Sequence, residues 1–235
     1  MEIMETMQKP EKSVSMEIKH FVAIFDFEME RRQIPGFRGA VIKKVGEENV
    51  LFHNHLGEQF LYGYPLIQYK TIQRNPAMVC INQGTEEIIK FFEKVNWDLT
   101  IYGERIETEI RHISFDYFQC GLSPVLLRYK IWNWFALNEE NYAKFSAMNS
   151  DAEKIEKLRR ILIGNMLSYA KGIQWNVDGE IRVEIARLPR HRLLSFKRYR
   201  MAGFDLEFAT NMVLPDFIGL GKSVSRGFGL IRRIG

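Results

Sequence analysis

Long apolar runs are missing from this 235-residue chain. None approaches the length of about 20 residues that crosses a bilayer, so no membrane partner is expected. The N-terminus lacks the basic-then-apolar order of a secretory signal. Cysteine is scarce: Cys80 and Cys120 are the two present, in apolar stretches without metal-ligand spacing. They predict buried thiols in a reducing cytoplasm and no metal site. A Pro/Gly-rich linker and an internal repeat are also missing. So is an NTP-binding loop, which needs a glycine five residues before Gly-Lys-Ser. Asp216 stands at that position before Gly221-Lys222-Ser223, and the two glycines after Val224 argue against the helix that should follow.

What is present is an ordinary globular composition, 46% hydrophobic and 26% charged, enough for one large domain or two small ones. The net charge of +4 is unevenly placed: from Arg187 to Gly235 there are ten Lys or Arg against three Asp or Glu. Positive charge concentrated beside a glycine-rich stretch points to a polyanion. A solvated basic face is the bland alternative.

The pattern of elements divides the chain into a polar tail (1–13), a first domain (14–120) and a second (121–235). Val14 to Glu30 alternates as a strand. Pro35 opens a helix with Phe37, Ala40, Val41 and Val45 on one face, and Gly46 ends it. Val50 to Phe52 reads as a short strand, Leu66 to Ile72 and Ala77 to Asn82 as two more. Gly84 to Val95 reads as a second helix with Val95 inward, and Leu99 to Phe118 as strand. This is the βαββαβ order of a ferredoxin-like (RRM-like) domain, whose open sheet face is the one RNA-recognition modules use. After a tight connection at Gln119 to Pro124, a strand at Val125 to Phe135, two helices and further strands suggest a second such unit. The expected fold class is α+β: tandem ferredoxin-like domains with a C-terminal glycine-rich loop.

That loop carries the strongest signal. Gly219-Leu220-Gly221 and Gly227-Phe228-Gly229 flank a linker containing Lys222, Ser223 and Arg226. Glycine permits positive φ and close approach, and backbone N–H groups beside cations suit a phosphate chain. Arg190, Arg192, Lys197 and Arg198 interleave with apolar residues and read as a basic rail holding phosphates without reading bases. A protected edge strand is the alternative reading. Trp132, Trp134 and Trp175 read as core, and His20 as a packed strand histidine.

The doubled Gly-hydrophobic-Gly pattern resembles the C-terminal loop of the RAMP superfamily of CRISPR RNA-binding proteins. Tyr64-Pro65-Leu66-Ile67-Gln68-Tyr69-Lys70, following His53-Asn54-His55, is similar to the N-terminal half of the repeat-RNA (pre-crRNA) processing endoribonucleases within it. The resemblance implies RNA as partner, no cofactor, and metal-independent cleavage. A 2′-hydroxyl attacks the adjacent phosphate to leave a 2′,3′-cyclic phosphate and a 5′-hydroxyl. It also implies a histidine on or just after the first helix, since imidazole exchanges protons near neutral pH. By position His55 is the first candidate and His53 the second, with turn-capping as the alternative for both. Lys43 is a candidate electrostatic partner and Tyr64 a candidate hydroxyl donor. The same loop occurs in non-catalytic subunits of CRISPR effector complexes, so a guide-RNA-binding subunit is the rival reading. His53-Asn54-His55 shares only its letters with HNH nucleases, lacking their metal-ligand set.

Overall fold

The computed structural model of the chain describes residues 15–46, 48–53, 55–56, 59–60, 63–196 and 199–235; at 53, 55, 56, 59, 60, 195, 196 and 199 it describes backbone only. The first half contains β1 (Ser15–Phe25), α1 (Ile34–Val45), α2 (Val50–His53), β2 (His55–Leu56), β3 (Gln59–Phe60), β4 (Ile67–Ile72), β5 (Asn75–Ile81), α3 (Gln83–Glu87), α4 (Ile89–Phe92), β6 (Leu99–Ile101) and β7 (Glu104–Ile106). Then come β8 (Ile110–Trp134), α5 (Glu139–Ser146), α6 (Asp151–Gly172), β9 (Val183–Glu184), β10 (His191–Phe196), β11 (Tyr199–Val213) and β12 (Leu230–Arg233). Among the described residues no helix is long and apolar enough to cross a membrane.

The sheet order shows two ferredoxin-like units sharing one strand. In the first half the order is β8-β1-β5-β4, so the four strands of βαββαβ lie fourth, first, third, second. In the second half β12 and β11 flank β8, and β10 pairs with β11, which repeats that order with β8 now as first strand. The glycine-loop region, 214–229, stands where a second helix would return.

The tight connection expected at Gln119 to Pro124 is therefore not a turn. β8 runs through it, and Gly121 pairs with Ser15 on one edge and Val213 on the other. The turn residues are absorbed by an irregularity in register, from Thr210↔Leu127 to Met212↔Leu122. A bulge is where a strand tolerates a proline such as Pro124, which has no N–H for the ladder.

α1 follows its spacing: Phe37, Ala40, Val41 and Val45 are buried, and Gly46 ends it at φ 109°. The expected second helix is instead α3 and α4, joined at Ile88. Because α4 stops at Phe92, Val95 falls beyond it and is fully exposed. Val50 to Phe52, expected as strand, is the single-turn α2; the buried Phe52 anchors it, and its carbonyl accepts from Tyr69 Oη at 3.2 Å.

The open sheet face expected to meet RNA is covered. One face of β1 sends Phe21, Ala23 and Phe25 into a cluster under α1 and α4. The opposite face sends Ile18 and Val22 into a cluster shared with Tyr129, Leu158, Leu162, Met166 and Leu220 of the second half. His20 is buried on that same face, its ring beside Asp116 and the backbone of Asp216, and burial holds its pKa below the usual histidine value. The two halves are thus closed on each other by a shared apolar core, and the seam is left with the glycine loop.

Candidate nucleic-acid interface

The two glycine triplets form the base of the loop. Gly219 bridges to Leu230 in antiparallel sense, and Leu220 N donates to Gly229 O at 2.8 Å. The apolar centres of both triplets point inward. Leu220 enters the shared core, and Phe228 stacks on Phe135 with ring centroids 4.1 Å apart. Gly229 has φ 62°, and a Cβ there would collide with the Leu220 carbonyl. Gly221 and Gly227, also at positive φ, lie against Trp134 and Ile34. Lys222 is exposed at the tip; Ser223, at φ 59°, closes a turn by accepting from Arg226 N at 2.9 Å.

The first half holds this loop from below. Tyr64 Oη donates to Gly219 O at 2.8 Å, and Gly219 N donates to Gln68 Oε1 at 2.9 Å. Lys70 is completely buried and donates to Val224 O at 2.8 Å and Phe228 O at 3.1 Å. A Cβ on Gly219 would lie 2.5 Å from Lys70 Nζ, so the first glycine makes room for the ammonium. Desolvation pushes the Lys70 pKa down to about 7. Several loop amides expected to cradle phosphate are thus already engaged inside the protein: Gly219 with Gln68, Leu220 with Gly229, and Gly229 with Asn133 O.

Cations the sequence reading passed over line the rim. Arg31 places its guanidinium 4.5 Å from the centre of the Phe228 ring. Arg38 lies 5.9 Å from the centre of the Tyr69 ring. Burial lowers the pKa of both; Arg192 lowers Arg31 further and Arg226 lowers Arg38 further, while Asp205 and Tyr69 respectively oppose this. Like charges held this close are costly, and a bound anion would relieve that cost. The available signal was the i, i+3, i+7 spacing of Arg31, Ile34 and Arg38, which would share one face of a helix, although Arg31 itself lies in the 3-10 turn Arg31–Gln33 that leads into α1.

Tyr69 is the junction. Its hydroxyl bonds Phe52 O, one residue before His53; its backbone bridges to Arg226; its ring lies beside Arg38. The His53 backbone ends α2, and His55 opens β2, paired with Phe60. Both histidine side chains lie outside what the structure describes, as do Lys197 and Arg198. Lys43 is exposed in the last turn of α1. Five residues from Arg38, it is turned about 140° from it around the helix. The Tyr64 hydroxyl donates to the loop carbonyl of Gly219, and burial pushes its pKa up. Arg190 is exposed just before β10. Arg192 reaches Asp205 Oδ2 at 2.9 Å and Asn133 Oδ1 at 2.8 Å. Trp134 and Trp175 are core, as expected, but Trp132 is only half-buried, with Lys130 Nζ 5.6 Å from its ring centre.

Comparison with known proteins gives the same picture. Residues 16–119 match the Cas6b N-terminal domain and residues 121–234 the Cas6b C-terminal domain. A solved structure described as Cas6b superimposes with a TM-score of 0.83 at 28% identity, covering 93% of this chain and all of the other. A second, described as the CRISPR RNA processing endoribonuclease Cas6b, gives a TM-score of 0.69 at 27% identity with the same coverage. An uncharacterized protein of Methanocaldococcus jannaschii is 31% identical over 149 residues, 63% of this chain and 97% of that protein.

Proposed function

This chain belongs to the Cas6b family, and from that premise we propose that it is an endoribonuclease that cuts CRISPR repeat RNA. The observation that carries the reading is the convergence on Tyr69 of three parts: the segment bearing His53 and His55, the glycine loop through Arg226, and α1 through Arg38. A proton-transfer group and a phosphate site must meet for RNA cleavage, and the contacts of Tyr69 with Phe52 and with Arg226 support that reading.

In the proposed mechanism His55, with His53 as its partner, handles the protons. The 2′-hydroxyl loses its proton to an imidazole, and its oxygen bonds to the adjacent phosphorus. The P–O5′ bond breaks, and the leaving 5′-oxygen takes a proton from an imidazolium. The products are a 2′,3′-cyclic phosphate and a 5′-hydroxyl. Arg38 and Arg226, rather than Lys43, stabilise the charge that builds on the phosphorane. Lys222, Ser223 and the rail through Arg190 and Arg192 hold the flanking backbone.

The test is labelled repeat RNA incubated with the protein in EDTA, beside the same RNA carrying a 2′-deoxy substitution at the cut. One cut in EDTA, lost with the deoxy sugar, is expected. Replacing His53 and His55 by alanine should slow cutting by about 10²–10⁴ and leave RNA binding nearly unchanged. Tight binding without any cut would instead favour a non-catalytic subunit that binds guide RNA.

A further inference from the structure

A cleft of about 340 Å³ opens at the seam between the halves, beside the glycine loop. Apart from Gly227, none of the residues lining it is assigned above to phosphate or proton transfer. Its walls are Trp132 and Phe217, its polar edge is Thr71, Gln73 and Asn133, and Arg232 closes one side. The volume sits at the small end of the range that holds small ligands.

Two aromatic walls, each with a cation near its ring, make a surface for a flat π-system. The Arg232 guanidinium lies 5.9 Å from the Phe217 ring centre, and Lys130 Nζ lies 5.6 Å from that of Trp132. Trp132 was expected in the core, yet it is half-exposed and faces this space.

The backbone of the cleft is an independent observation. Asn133 (φ 52°) and Phe217 (φ 67°) hold positive φ and line it; Gln73 (φ 51°) lines it too, but with Arg74 (φ 69°) it forms the two-residue hairpin turn between β4 and β5, which accounts for its φ. Non-glycine residues adopt that region rarely, and for a bulky Phe it is an outlier. Such conformations persist where the surroundings enforce them, and they gather at ligand sites. The enforcement is visible here. Phe217 N donates to Ile231 O at 2.8 Å, Asn133 N donates to Asp205 Oδ1 at 2.6 Å, and Asn133 O accepts from Gly229 N at 3.2 Å. Arg192 Nη2 donates to Asn133 Oδ1 at 2.8 Å and so fixes the amide's orientation.

Gly227 connects the cleft to the phosphate site. It lines the cleft, while its α-carbon faces Ile34 and Arg31. A nucleotide whose phosphate rests on the Arg31 side would have its base at the mouth of the cleft.

We propose that this cleft is a base-recognition pocket that takes one unstacked nucleobase of single-stranded RNA between Trp132 and Phe217, with Gln73 and Asn133 reading its edge. The proposal rests on the RNA-processing function above and deepens it. It requires the nucleotide to be unpaired, because a base inside a helix cannot be stacked on a side chain. It also supplies sequence selection, which phosphate contacts alone do not.

The test is abasic scanning. Repeat RNA is made with an abasic residue at each position in turn, which removes the base and keeps the phosphate. Binding is measured for the full-length protein, for Trp132→Ala and for Trp132→Phe. In the unaltered protein the abasic residue should weaken binding at one position by about 5-fold to 160-fold, the range of one base–aromatic stack. Trp132→Ala should erase the penalty at that position alone and leave the salt dependence unchanged; Trp132→Phe should restore part of it. A Trp132→Ala profile parallel to that of the unaltered protein, whether uniformly weaker or unchanged, would overturn the pocket. If the unaltered protein bound no repeat RNA, the functional reading itself would fall instead.

Discussion

Replacing Gly229 by alanine tests whether the loop is a rigid structural element, and Gly103 supplies the control. Both glycines have positive φ, 62° and 90°. Gly103 follows Tyr102 (φ 51°) in the β6–β7 hairpin turn, and a Cβ there would meet nothing within 4 Å. Gly103→Ala therefore adds only the cost of a left-handed L-residue, about 1 kcal/mol, partly offset by the stiffer unfolded chain. Gly229→Ala adds the same cost, and its Cβ must also displace the Leu220 carbonyl. That opens the Leu220 N–Gly229 O bond, made in a buried region, at a further cost of about 1–3 kcal/mol. For a chain of this size each kcal/mol lowers Tm by about 2–4 °C. Thermal melting should show a drop of about 1–4 °C for Gly103→Ala and about 4–16 °C for Gly229→Ala. RNA affinity, measured well below both transitions, should fall only for Gly229→Ala. Equal Tm shifts would refute the close contact at Gly229. An unequal shift with unchanged RNA affinity would show that the loop's shape matters to the fold and not to the ligand.

Three further outcomes follow from the site. The Lys70 pKa, pushed down to about 7 in the folded protein, lies near 10.4 when the chain unfolds. Between those values the unfolded chain binds a proton the native state lacks, so this group makes stability rise with pH, by up to about 1.4 kcal/mol per pH unit. Tm followed from pH 7 to pH 9.5 should therefore show an upward component that Lys70→Met removes; an identical slope in the variant would count against the lowered pKa of the buried Lys70. Arg31→Ala and Arg38→Ala should each weaken RNA binding and shrink its salt slope by about one unit, while unaltered slopes would remove these arginines from the phosphate path. Tyr64→Phe removes the bond to Gly219 O and should cost about 1 kcal/mol of stability with cutting retained; a collapse in cutting rate at unchanged RNA affinity would return Tyr64 to the chemistry.

The parts of the fold that were legible are those in which local chemistry and tertiary packing agree. Pro35, the apolar stripe of α1 and Gly46 all state the same helix. The parts misread are those in which a local signal was outvoted from a distance. Gly121, Ser123 and Pro124 are turn residues, but β1 and β11 each supply a full ladder to β8, and the turn became a bulge. The covered sheet face had left a trace: β1 is apolar on both faces, through Ile18 and Val22 as well as Phe21 and Phe25. A half-exposed sheet would alternate with polar residues on one side.

The same principle explains which site residues were visible. Glycines and exposed cations stand out as candidates for a phosphate loop because their chemistry is unusual wherever they stand. Lys70 does not, because a lysine between Tyr69 and Thr71 reads as the solvent side of a strand. Its role depends on Val224 and Phe228, more than 150 residues away. Burying an ammonium is expensive unless its donors are met, and here two loop carbonyls meet them. Each carbonyl turned toward Lys70 turns the following amide away from it, because a trans peptide sets C=O and N–H on opposite sides. For Phe228 the next amide is that of Gly229, which reaches Asn133; for Val224 it is that of Ser225, in the linker between the triplets. The path of the loop backbone is thus set by a side chain of the other half of the molecule. That is why the glycine pattern could indicate a phosphate partner without revealing how its backbone is aimed.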